Sequence, residues 1–105
     1  MYKNKKILGI IPARKGSKSV KNKNFIKLGG KELVRYTIDA GNKSKLLDRL
    51  IISTDDINKF KAFKKNCDIP FKRPKKYSGD KATTLSVVMH ALRYLKARKE
   101  YYDYV

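Results

Sequence analysis

In KILGIIPARKGSKSVKNKN, residues 6–24, an apolar segment gives way abruptly to a basic one. Residues 5–11 predict a buried strand. They run apolar without alternation, favour β-branched side chains and stop at Pro12, which has no N–H to carry a ladder onward. The loop that follows holds Gly16, two serines, two asparagines and the cations Arg14, Lys15, Lys18, Lys21 and Lys23, and no acidic residue precedes Glu32. Open α/β sheets build their ligand sites outside the carboxyl ends of strands. A buried strand that empties into unbalanced positive charge predicts an anion site of that kind.

Working outward, Phe25-Ile26-Lys27-Leu28 leads to a turn at Gly29-Gly30. A helix is expected from Glu32 to about Lys45, with Leu33, Tyr36, Thr37 and Ala40 marking its apolar side. Arg49–Ser53 repeats the shape of the first strand. Thr54 or Asp55 is the expected cap of a following helix that turns Ile57, Phe60 and Phe63 inward and Lys59, Lys61, Lys64 and Lys65 outward. Ile69-Pro70-Phe71 is extended, and a loop covers residues 72–81. Thr83 or Thr84 opens the last helix, whose predicted stripe is Leu85, Val88, Met89, Leu92 and Leu95. Residues 101–105 begin another strand. Strands alternating with helices predict an α/β fold with a mostly parallel sheet and right-handed crossovers. Parallel strands need cover on both faces, and this chain offers little, so it reads as the N-terminal part of a larger domain.

Composition narrows the function. A hydrophobic content of 41% speaks for a globular chain rather than a disordered one. The net charge of +18 points to anionic partners such as nucleotide phosphates, acidic sugars or nucleic acid. With Cys67 alone, no intramolecular disulfide is possible, which fits a reducing, cytoplasmic setting. The apolar run at residues 7–13 is too short to span a bilayer, and no membrane partner is expected.

Gly16 opens backbone conformations in which successive N–H groups converge on an oxyanion, and Ser17 adds a hydroxyl donor. Arg14 offers a planar fork to phosphate oxygens, while Lys18, Lys21 and Lys23 are mobile point charges. The loop is neither a G-x-x-x-x-G-K-S/T phosphate loop nor a G-x-G-x-x-G dinucleotide fingerprint. Three other chemically suggestive groups have plainer readings. His90 lies nearly opposite the predicted stripe, and Cys67 is a packing residue. Asp55-Asp56 is the one local carboxylate pair for a cation, with Asp55 better read as a strand end or cap.

The ordered set Ile10-Ile11-Pro12-Ala13-Arg14, Gly16-Ser17-Lys18, Lys23-Asn24, Leu28-Gly29-Gly30-Lys31 and Tyr36-Thr37-Ile38 resembles the start of the acylneuraminate cytidylyltransferases, the CMP-sialic acid synthetase family. The likeness continues through Ser44-Lys45-Leu46, Asp48-Arg49 and Ile51-Ile52-Ser53-Thr54-Asp55. Beyond these it takes in Phe71-Lys72-Arg73-Pro74, residues 80–84 and His90-Ala91-Leu92. The resemblance implies a three-layer α/β/α sandwich of nucleotide-diphospho-sugar transferase type, of which residues 1–105 are the nucleotide-binding part. It implies attack by the anomeric hydroxyl of an acidic 2-keto sugar on the α-phosphorus of CTP, giving a CMP-sugar and pyrophosphate with Mg²⁺ assisting. Arg14 and Lys23 would be the catalytic cations on the triphosphate. Ala13, Gly16, Ser17, Lys18 and Asn24 would contact the nucleotide, and Arg73, Ala82 and Thr84 would hold cytosine and ribose.

The family's sugar loop, metal carboxylates and homodimer segment would fall beyond Val105, so the chain alone is expected to be inactive or nearly so. Ser19-Val20-Lys21 departs from the family's usual Gly-Ile-Pro, leaving the loop less pre-shaped. Two other readings stand beside this one. The first is a non-enzymatic basic module binding nucleic acid or nucleotides. The second is a cytidylyltransferase for the eight-carbon sugar Kdo, from which Gly16-Ser17-Lys18 and residues 53–56 lean away.

Overall fold

A computed structural model describes residues 4–13, 27–79 and 82–105. Strand β1 (Leu8–Pro12) and strand β4 (Arg49–Ser53) pair in parallel, with Ile10 opposite Ile51 and Pro12 opposite Ser53. Single parallel bridges extend the pairing on both sides. Ile7 meets Tyr104 beyond β1, while Ile51 meets Asp68 and Thr54 meets Lys72 beyond β4. The chain is therefore α/β with a parallel sheet, as the alternation of elements predicts.

A two-residue hairpin, β2 (Lys27–Leu28) and β3 (Lys31–Glu32), lies apart from that sheet. Its turn puts Gly29 at φ 64° and Gly30 at φ 80°, a conformation that side-chain-bearing residues resist. Helix α1 (Leu33–Lys43) follows at once, and Tyr36 ties it back to the hairpin by donating its hydroxyl to the Leu28 carbonyl at 2.5 Å.

Strand alternation sends side chains to two cores. Ile11 and Ile52 face one side, packed with Val34 and Ile38 of α1 and with Phe60, Phe63, Cys67 and Ile69. Leu8 and Ile51 face the other, against Phe71 and against Ala91 and Leu95 of helix α3 (Thr84–Ala97). On the first of these sides, helix α2 (Ile57–Phe60) tightens into a 3₁₀ turn at Lys61–Phe63. It buries Phe60 and Phe63 and leaves Lys59, Lys61, Lys64 and Lys65 outside, as its pattern predicts.

Helix α1 presents a different face from the one expected, and helix α3 keeps Leu92 and Leu95 of its expected stripe but not Leu85 and Met89. In α1 the buried residues are Val34 and Ile38, whereas Leu33, Tyr36, Thr37 and Ala40 are exposed. The cause lies at Gly41, where a Cβ would stand 2.6 Å from Leu50 Cδ2, so only glycine lets the β4 side chain in that close. In α3 the sheet meets Val87, Ala91 and Leu95, while Leu85 is 69% exposed and Met89 39%. Fully buried Ala91 permits the near approach, because interaxial distance follows the size of the residue at the contact.

The caps also sort themselves out. Thr83 caps α3, its hydroxyl oxygen accepting from the Ser86 N–H at 3.0 Å. For α2 the cap is Asp56 rather than Thr54 or Asp55, its carboxylate accepting from the Lys59 N–H at 3.3 Å. Thr54 Oγ1 instead accepts from the Asp56 N–H.

At the amino end of β4, Arg49 donates to both Glu100 carboxylate oxygens and to Asp68, clamping the segments on either side of the sheet. Cys67 is 4% exposed, and burial, followed by the neighbouring Asp68 charge, pushes its thiol up to about 12. A thiol reagent at mildly alkaline pH is thus expected to label Cys67 far more slowly in the folded chain than in urea. The sign for stability follows. A raised folded-state value favours the protonated thiol, so its contribution is complete below about pH 9 and is lost as pH rises toward about 12.

Candidate functional site

The carboxyl ends of β1 and β4 converge on one carbonyl. Ala13, the residue after β1, is 1% exposed and donates its N–H to the Ser53 oxygen at 2.9 Å. Arg73 Nη2 donates to that same oxygen at 2.8 Å. Arg73 Nη1 donates to the Tyr77 carbonyl at 3.0 Å, and its backbone N–H donates to the Thr54 carbonyl at 2.7 Å. The guanidinium is thereby fixed just beyond the sheet, with the residue 4% exposed. Its local path is set by Pro74, whose extended conformation opens the 3₁₀ turn Lys75–Tyr77.

Helix α3 runs antiparallel to the sheet, since its later residue Tyr94 meets Pro70 while its earlier residue His90 meets Phe71 and Tyr77. Its amino end therefore lies at the carboxyl edge of the strands. Thr84 is the first helical residue there and is exposed. Ala82 is half-buried just before it, donating its N–H to the Gly79 carbonyl at 3.1 Å. Of the residues singled out from the sequence, Ala13 and Arg73 meet on Ser53, and Ala82 and Thr84 sit at the adjoining helix end. Arg14, Gly16, Ser17, Lys18, Lys23 and Asn24 lie outside the described residues.

Sequence reasoning passed over two contributors. Ser53 is wholly buried, and its hydroxyl has no hydrogen-bond partner among the described residues. The signal was there, because Ser53 shares a strand face with buried Ile51 and so places a polar group in an apolar layer. His90, expected nearly opposite the buried stripe, instead stacks on Tyr77 with ring centroids 5.1 Å apart and meets Phe71 edge-on at 4.7 Å. Burial, and then the Arg73, Lys76 and Arg93 charges, hold its imidazole below the usual histidine range. A neutral ring fits that setting.

Among the described residues, no three His, Cys, Asp or Glu side chains come together as metal ligands. Asp56 is engaged as the α2 cap. No helix among them is long and apolar enough to cross a membrane.

Comparison with known proteins identifies the chain's relatives. The family described as cytidylyltransferase matches residues 8–102. The pseudaminic acid cytidylyltransferase of Campylobacter jejuni is 39% identical over 101 residues, covering 95% of this chain and 44% of that protein. An N-acylneuraminate cytidylyltransferase of Escherichia coli is 39% identical over 88 residues, covering 83% of this chain and 21% of that one. A 3-deoxy-manno-octulosonate cytidylyltransferase of Bdellovibrio bacteriovorus is 44% identical over 50 residues, or 48% of this chain and 20% of its own. The chain thus spans less than half the length of these curated relatives.

Proposed function

The chain belongs to the cytidylyltransferase family, and from that premise we propose that it carries the CTP-binding part of an enzyme that makes CMP-linked acidic sugars. In this reading a nine-carbon 2-keto acidic sugar attacks the α-phosphorus of CTP. Its anomeric oxygen bonds to phosphorus as the bridge to pyrophosphate breaks. Charge builds on the phosphoryl oxygens and the leaving group, so the protein supplies position and positive charge. Arg14 and Lys23 grip the triphosphate, with Gly16, Ser17, Lys18 and Asn24 around it. Arg73, Ala82 and Thr84 hold the base and ribose, and the chain ahead of the triphosphate loop is anchored at Ala13. The reading includes the three-layer α/β/α sandwich of nucleotide-diphospho-sugar transferase type.

The observation that carries this proposal is the meeting of Ala13 and Arg73 on the Ser53 carbonyl. It brings a residue next to the basic loop and a buried arginine to the same strand ends, the place where α/β sheets receive ligands. Magnesium is implied by the family's chemistry; no three His, Cys, Asp or Glu side chains come together among the described residues, and no step is routed through it. An eight-carbon substrate is the weaker choice, because the relative that uses it matches 48% of this chain and the pseudaminic acid enzyme 95%.

Calorimetric titration with CTP and ATP tests the site. CTP is expected to bind in preference to ATP, and Arg14→Ala or Lys23→Ala to weaken it roughly ten- to a hundredfold through loss of a charged hydrogen bond. Two unit charges 4 Å apart are worth about 1 kcal/mol in water and about 4 at an effective dielectric of 20, so a partly closed site makes each cation count. Tight RNA binding that CTP fails to displace would favour a basic nucleic-acid module.

A further inference from the structure

A row of rings joins helix α3 to the segment that carries Arg73. Tyr94 donates its hydroxyl to the Pro70 carbonyl at 2.9 Å, and its ring lies 4.8 Å from that of Phe71. Phe71 meets His90 edge-on, and His90 lies against Tyr77 at an interplanar angle of 33°. Tyr77 closes the row, because its carbonyl is the acceptor for Arg73 Nη1. His90 is the one member of this row able to gain a charge near neutrality. It is also wedged between the two rings that flank the arginine in sequence.

We propose that His90 is a positioning residue for Arg73: as a neutral ring between Phe71 and Tyr77 it holds the Tyr77 carbonyl on the guanidinium, and its protonation loosens that hold and weakens nucleotide binding in mild acid. The inference rests on the reading of Arg73 as a nucleotide contact. The charges acting on the ring among the described residues are all cationic: Arg73 and Lys76 from the facing segment, and Arg93 from its own helix. The rings against it, Phe71 and Tyr77, bring no anion. A proton on His90 therefore adds a like charge beside Arg73 in a partly desolvated place, and the cheapest relief is for the ring to leave the stack.

The direction of the pH effect follows from the depressed ionisation of the ring. An unfolded histidine takes up its proton near pH 6.5, the folded one only below that. Stability is therefore complete above about pH 6.5 and falls as pH drops from there through the folded-state value. Nucleotide affinity is expected to fall over the lower part of that window, as the folded ring ionises.

The sole histidine makes the test direct, because the chain has one imidazole signal to follow by NMR. In the wild-type chain without ligand, the Arg73 guanidinium protons are expected to lose their protection from exchange at the pH where the imidazole ionises. His90→Phe, which keeps a ring and cannot ionise, is expected to retain that protection through the same range. CTP affinity is then expected to drop about tenfold more in the wild type than in His90→Phe between a pH above and a pH below the imidazole's own ionisation, a coupling of ordinary size. Titration of the nucleotide itself is common to both proteins and cancels. Arg73 protection that ignores the imidazole titration would overturn the proposal, and that wild-type measurement needs no variant to fold. If the protection follows the imidazole but CTP binds at no pH, His90 still positions Arg73, and it is the nucleotide reading of the site that fails.

Discussion

Arg73→Met is expected to lower folding stability by about 1–3 kcal/mol and CTP affinity by roughly ten- to a hundredfold. Methionine fills much of the same space but donates nothing. The Ser53 carbonyl would still keep the Ala13 N–H, so most of the penalty falls on the Tyr77 carbonyl, which loses its Arg73 donor. Removing a charge from a residue that is 4% exposed returns some desolvation energy and keeps the stability loss moderate. Binding has no such offset, because in the proposed function Arg73 helps to hold the base and ribose. Arg73→Lys restores the charge without the planar fork and is expected to recover stability better than affinity. Urea denaturation and calorimetric titration of the two variants measure both effects. Undiminished CTP binding in Arg73→Met would remove Arg73 from the site.

The largest stability effect is expected at Phe63. This ring is 2% exposed, packs 6.3 Å from Phe60 and carries the Arg35 guanidinium 4.6 Å above it. Phe→Ala substitutions in cores cost about 3–5 kcal/mol, and domains of this size have about 5–15 kcal/mol in all. Phe63→Ala should therefore leave the chain partly unfolded at ambient temperature, or close to it, as seen by circular dichroism and a shifted urea midpoint. Leu85→Ala is the contrasting case. Leu85 belongs to the stripe expected from the sequence but is 69% exposed, and its loss should stay within about 0.5 kcal/mol. Equal costs at the two positions would mean that α3 is rotated relative to the arrangement described here.

The strands were the most legible part of the fold. Arg49–Ser53 has the predicted bounds, while β1 runs Leu8–Pro12 where residues 5–11 were expected. Their signal is local, since a continuous apolar run ended by a helix cap or a proline has few other uses. Helix faces were less legible because α1 and α3 carry apolar residues on more than one side. A hydrophobic count gives Leu33 and Leu85 the same weight as Val34 and Val87. The junction at the strand ends was illegible, because its meeting point is a backbone carbonyl and any residue supplies one.

By itself, the sequence determined an α/β chain with parallel strands, a basic loop after the first of them, and an ordered set of residues like those of the cytidylyltransferases. Tertiary structure alone decided which helix faces are buried, through Gly41 and Ala91, the two small residues that let the helices approach the sheet. It also decided that Ala13, Arg73 and Ser53 share one hydrogen-bonded junction, and that His90 turns inward to the rings beside it. The physical reason is the same in each case. Periodicity encodes what a residue prefers, whereas packing selects among equal preferences by the distance at which two elements can meet.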